Sequence, residues 1–118
     1  MDESMGQLIA SISQKLKKST PILEAIGNET RLNIIFSMLE LPCEAEGGIR
    51  VGDITQKAHL SRPAVSHHIK ILKDAGIITM NRVGTKNYYK LDPDNKSLLE
   101  LQDLIDHIVS FNKINTNN

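Results

Sequence analysis

"GDITQKAHLSRPAVSHHIKILKDAG", residues 52–76, decides the fold. Its opening "GDITQKA" has the composition of a two-turn helix that buries Ile54 and Ala58, and "HLS" makes a turn. Ser61 is suited to cap a second helix, which Gly76 closes. Two short helices about so tight a turn predict a helix-turn-helix over 52–75. Projected at about 100° per residue, the second helix separates into two faces. Val65, Ile69 and Leu72 share one side, with Ala75 and His68 beside them. Pro63, Ser66, His67, Lys70 and Asp74 fall opposite, and Arg62 and Lys73 lie at a boundary.

The adjacent histidines raise the question of a metal. Two histidines on one helix converge on an ion when spaced i, i+4, as in H-E-x-x-H. His67 and His68 diverge by about 100°, so His67 is expected in solvent and His68 at the core edge, partly buried against a hydrogen-bond partner. Neither His59 nor His107 completes a ready ligand set, and no metal site or cofactor is assigned. The exposed first turn suits DNA instead, because Arg62, Ser66 and His67 offer donors to base edges in the major groove. Ser61 and the helix N-terminus favour a phosphate. Lys70 and Lys73 then hold the backbone on that side.

Charge distribution agrees with that reading. The 118 residues sum to zero, yet residues 50–90 carry eight cations against Asp53 and Asp74, a net +6. Acidic flanks balance this basic middle, as expected of a nucleic-acid face on a neutral body. Length fits a single domain over 1–118. With two Phe, two Tyr and no Trp, the core must be aliphatic and small, which favours oligomerisation. The N-terminal segment lacks an apolar signal core, and no run approaches the roughly 18 apolar residues of a membrane span. The expected location is the cytoplasm, with no membrane partner. The lone Cys43 excludes an intrachain disulfide, though not one between subunits.

Leu8, Ile9, Ile12 and Leu16 predict a first helix over 1–18, ending at Lys17-Lys18-Ser19. Thr20 and Pro21 then read as the cap and first residue of a short helix to Ile26, closed by Gly27. Asn28 caps the next helix, whose core face is read as Leu32, Ile35, Phe36 and Leu39. Residues 41–50 read as an exposed loop, with a short strand at 49–51. Strand-forming "IITMNR" and "NYYKL" flank "VGTK", whose Gly84 can take a positive φ, predicting a two-stranded wing over 77–91. Arg82 and Lys86 on that wing are candidate phosphate contacts. A last helix over 96–112 is apolar at eight of the fourteen positions 98–111, too many for one buried face. That width predicts burial against both the domain and a partner subunit. The tail "NKINTNN" reads as frayed.

"LEAIGNETRLNIIFSML", "VGDITQKAHLSRPAVSHHIKILKDAGII" and "RVGTKNYYKL" together resemble the ArsR/SmtB family of winged-helix repressors over roughly residues 20–92. The resemblance implies a mainly α fold with a small β-wing, and a homodimer joined by its first and last helices. It implies binding to an inverted-repeat operator on double-stranded DNA and release by an inducer that the sequence does not identify. Carried over by position, the implied DNA contacts are Arg62, Pro63, Ser66 and His67. Where relatives often have a basic residue just after the wing glycine, this chain has Thr85, followed by Lys86.

Many relatives sense thiophilic metals through cysteines before the turn, and Arg50 and Gly52 occupy those places here. Another subgroup uses paired ligands on the last helix. This helix offers Asp103, Asp106 and His107, leaving a cross-dimer metal site as one alternative. Thiol sensing through Cys43 is a second, although Glu44 and Glu46 nearby disfavour a thiolate. A third is a winged-helix interaction module that does not bind DNA. An enzyme is not expected, because the chain has no P-loop, dinucleotide fingerprint or paired nucleophile and base.

Overall fold

Local caps lay out the helices. Asn28 Oδ1 accepts the Arg31 backbone N–H at 3.0 Å, and Ser61 Oγ accepts that of Ala64 at 3.3 Å; each satisfies one of the donors a helix start leaves free. The computed structural model describes residues 3–43 and 47–116. In chain order these form α1 (Glu3–Ile26), α2 (Glu29–Glu40), α3 (Val51–Ala58), α4 (Arg62–Asp74), β1 (Ile78–Val83), β2 (Lys86–Leu91) and α5 (Lys96–Thr116). The mainly helical fold with a two-stranded wing agrees with the sequence expectation.

Ile34, Ile54, Val65, Leu72 and Ile78 are each at most 1% exposed. They place the aliphatic core where α2, α3, α4 and β1 meet. The hairpin runs in register from Ile78 opposite Leu91 to Val83 opposite Lys86. Its two-residue turn begins with Gly84 at φ +63°, a conformation glycine adopts at little cost. The strand expected at 49–51 is confined to a bridge between Ile49 and Tyr89. Val51 instead begins α3, with Arg50 as its N-cap.

Three further expectations need correction. The first helix does not stop at Ser19: α1 continues through Pro21 to Ile26. Thr20 is no N-cap, since its Oγ1 donates back to the Leu16 carbonyl at 2.9 Å. Proline costs that helix the bond to the Lys17 carbonyl. Burial of Ser19, Ile22 and Ala25 holds it together on either side. On α2 the predicted core stripe meets the core at Ile35 alone. Ile34, Ser37 and Met38 are buried and Ile35 packs beside them, whereas Leu32, Phe36 and Leu39 are 51%, 59% and 65% exposed. This helix is apolar on two stripes, and periodicity alone does not say which one meets the core. Finally, the "frayed" tail is helical through Thr116, whose hydroxyl donates to the Asn112 carbonyl.

α1 and α5 pack antiparallel. Lys15 reaches Asp103 at 2.6 Å, and farther out Ile9 and Ile12 line an apolar groove of about 330 Å³ with Ile108 and Phe111. This two-helix arm draws the molecule out to 57 × 25 × 21 Å.

Candidate nucleic-acid interface

α4 is pinned by its inner face. Val65, Ile69 and Leu72 are at most 2% exposed, so the opposite face is fixed by the helical repeat. There Pro63, Ser66, His67 and Lys70 are exposed, as are Arg62 and Lys73 at the boundary of that face and Ser61 at the cap. Pro63 lies in the first turn, where the missing N–H costs no helical bond. Asp74 is also on this surface, and its Oδ2 accepts from Lys70 Nζ at 2.9 Å. Lys70 is therefore partly neutralised by its own helix.

His68 sits at the core edge as expected, partly buried. Its Nδ1 lies 3.2 Å from Arg31 Nη1. Arginine only donates, so Nδ1 is the acceptor and the neutral ring carries its proton on Nε2. Burial, then the Arg31 charge, then His67 lower its pKa below the ordinary 6.5. The two histidine rings meet edge to face at 5.3 Å.

The turn before α4 holds His59 in the left-handed region at φ 57°, and the His59 N–H bonds the Thr55 carbonyl to end α3. On the wing, Arg82 pairs across from Asn87 and Lys86 from Val83. Neighbouring rungs of a ribbon point to opposite faces, so the two cations flank the hairpin, one on each side. Arg82 Nε also donates to the Gly84 carbonyl at 3.1 Å.

The residues of the alternative sensing sites are otherwise engaged or open. Asp103 accepts from Lys15, a bond that holds its pKa below the usual carboxylate value. His107 Nδ1 donates to the Asp103 carbonyl at 2.7 Å, and Asp106 is exposed. Cys43 is exposed, while Glu44 and Glu46 lie outside the described residues.

Residues 28–80 match the sequence pattern described as "Bacterial regulatory protein, arsR family". The chain is 34% identical over 91 residues to the uncharacterised HTH-type transcriptional regulator MJ1325 of Methanocaldococcus jannaschii, covering 76% of this chain and 97% of that protein. It is also 30% identical over 104 residues to the arsenical resistance operon repressor of Bacillus subtilis, covering 88% of each. The chain belongs to the ArsR family. Among solved structures it is similar to one described as a possible transcriptional regulator for arsenical resistance, with TM-score 0.58, 26% identity and coverage of 81% and 94%. It shares its fold with the homodimeric winged helix-turn-helix domain Mb0332 of Mycobacterium bovis, with TM-score 0.54, 22% identity and coverage of 85% and 86%. As an ArsR-family member the protein is a DNA-binding transcription regulator, not an enzyme.

Sequence reading missed two residues of this ArsR-family fold. Arg31 reaches from α2 to α1 and α4, and Arg50 places its guanidinium 5.4 Å from the Tyr88 ring centre. Arg31 carried a signal, being a long cation in the first turn after an Asn cap, next to an apolar run. Arg50 carried none beyond its charge.

Proposed function

We propose that this protein is a homodimeric repressor that binds an inverted-repeat operator in the cytoplasm and lets go when it senses an inducing signal. The observation that carries this reading is the outer face of α4. Arg62, Ser66 and His67 stand exposed on a helix fixed by Val65, Ile69 and Leu72, arranged to enter a major groove. Arg62 and His67 read base edges, Pro63 packs against them, and Ser61 with the first-turn amides takes a phosphate. Lys70 and Lys73 follow the backbone beside the groove. The wing carries Arg82 and Lys86 on its two faces, so a hairpin lying along the adjacent minor groove offers a cation to each wall.

The dimer reading is supported by the arm. Its 1–18 and 96–112 portions leave Ile9, Leu16, Ile105, Ile108 and Val109 between 38% and 50% exposed, and one structural relative is a homodimer. A second copy covers this surface and sets two α4 helices at the spacing of two half-sites. Repression is supported by the B. subtilis relatives, one an arsenical resistance operon repressor and another the transcriptional repressor SdpR.

Binding to the DNA upstream of its own gene, titrated against salt, tests the reading. Affinity should fall steeply as salt rises, because each phosphate neutralised releases a counterion. Absence of binding at low salt would sink it.

A further inference from the structure

Three helices converge on one guanidinium. α1 ends without a basic residue in its last turn, so its terminal carbonyls lack the cation that would complement a helix C-terminus. Arg31 supplies it from α2: Nε donates to the Ala25 carbonyl at 2.5 Å and Nη2 to that of Glu24 at 3.0 Å. The third nitrogen, Nη1, donates to His68 Nδ1 on α4 at 3.2 Å. Bonds in three directions fix a planar guanidinium in position and in rotation. His68 in turn touches His67 edge to face, and His67 stands on the exposed face of α4. A continuous chain of contacts therefore runs from the end of the arm helix to the surface that reads DNA.

We propose that Arg31 and His68 are positioning residues that set the recognition helix α4 against the arm helix α1, so that two α4 helices in a dimer meet two half-sites together. The inference rests on the operator-binding homodimer proposed above. Neither residue touches DNA. Their contribution is orientation, which a single half-site does not demand and a pair of half-sites does. His68 holds α4 only as an acceptor, and protonation of Nδ1 would set a cation against Arg31. The charged or titratable groups bearing on the ring are Arg31 from α2 and His67 on α4, while α1 contributes the Glu24 carbonyl through Arg31. Asp53 and Lys57 of α3 and Arg82 of β1, the other elements packed on α4, are exposed. Acid is thus expected to loosen the joint.

The test uses a duplex enriched by the wild-type protein from randomised DNA, and the same duplex with one half scrambled. If wild type enriches nothing, the operator reading fails and the joint is not at issue. If it does, Arg31→Gln and His68→Phe should lose about tenfold or more on the two-half duplex, with little loss on the scrambled one and no change in dimerisation. His68→Gln, whose side-chain oxygen can accept from Arg31, should bind like wild type near neutral pH and lose the part of the acid sensitivity that His68 supplies. Wild-type affinity for Arg31→Gln on the two-half duplex overturns the proposal, as does equal loss on both duplexes. Should Arg31→Gln and His68→Phe fail to fold, the pH profiles decide: identical profiles for wild type and His68→Gln overturn it, and a flatter one for His68→Gln supports it.

Discussion

Arg62 stands in the first turn of α4, where a guanidinium can take two acceptors of a guanine edge at once. Arg62→Ala should cost about 1–3 kcal/mol on the preferred duplex and relax the choice of base at one position. Equal loss on random DNA, measured by competition, would assign Arg62 to the phosphate backbone. His68 gives a prediction about the fold. Its pKa is lowered below 6.5 in the folded chain, so the unfolded chain binds the proton more readily. The stabilisation is therefore present above pH 6.5 and is lost as pH falls through the lowered folded value. Melting temperature measured across that window should drop for wild type and drop less for His68→Gln; parallel curves would refute the linkage. His68 was legible in the sequence, because one helical projection put it at the core edge. Its partner was not: Arg31 lies 37 residues away, and helical periodicity does not report a contact between helices.

Elements were legible where caps and breakers speak locally. Asn28, Ser61, Gly76 and Gly84 each do what their chemistry suggests, so α2, α4 and the wing lie close to their expected bounds. α1 went astray at Thr20-Pro21, because a cap-and-proline signal has the same form whether a helix begins there or continues through it with one bond lost. Burial of Ser19, Ile22 and Ala25 decides that case, and it depends on tertiary packing. The stripe chosen for α2 failed for the same cause. Inside α4, the ion pair between Lys70 and Asp74 makes a prediction of its own. Both groups are well exposed, so the pair adds little stability, yet it places an anion on the surface proposed to face DNA. Asp74→Asn should leave the melting temperature nearly unchanged, strengthen binding to DNA of any sequence, and steepen the log–log salt slope by about one if Lys70 then takes a phosphate. An unchanged slope would show that Lys70 makes no such contact.

The whole molecule is elongated. Its 57 Å extent comes from an arm of two antiparallel helices, with apolar side chains on the face that neither helix covers. Among these, Ile108 is 42% exposed and borders the groove formed with Ile9, Ile12 and Phe111. A charge placed there costs the single chain little, because the side chain already meets water, but it would lie in the centre of a seam with a second copy. Ile108→Asp should therefore keep the helical content of wild type while sedimenting as a monomer at micromolar concentration. In the proposed dimer, loss of the seam would also separate two half-site readers, and tethering of that kind commonly adds about 10²–10⁴ in affinity. The variant should fall by about that factor on a duplex with two half-sites and bind a single half-site almost as before. This outcome differs from that expected of Arg31→Gln, which should stay dimeric and lose alignment alone. A dimer that survives Ile108→Asp would move the seam elsewhere, and the exposed Leu32, Phe36 and Leu39 stripe of α2 would be the surface to mutate next.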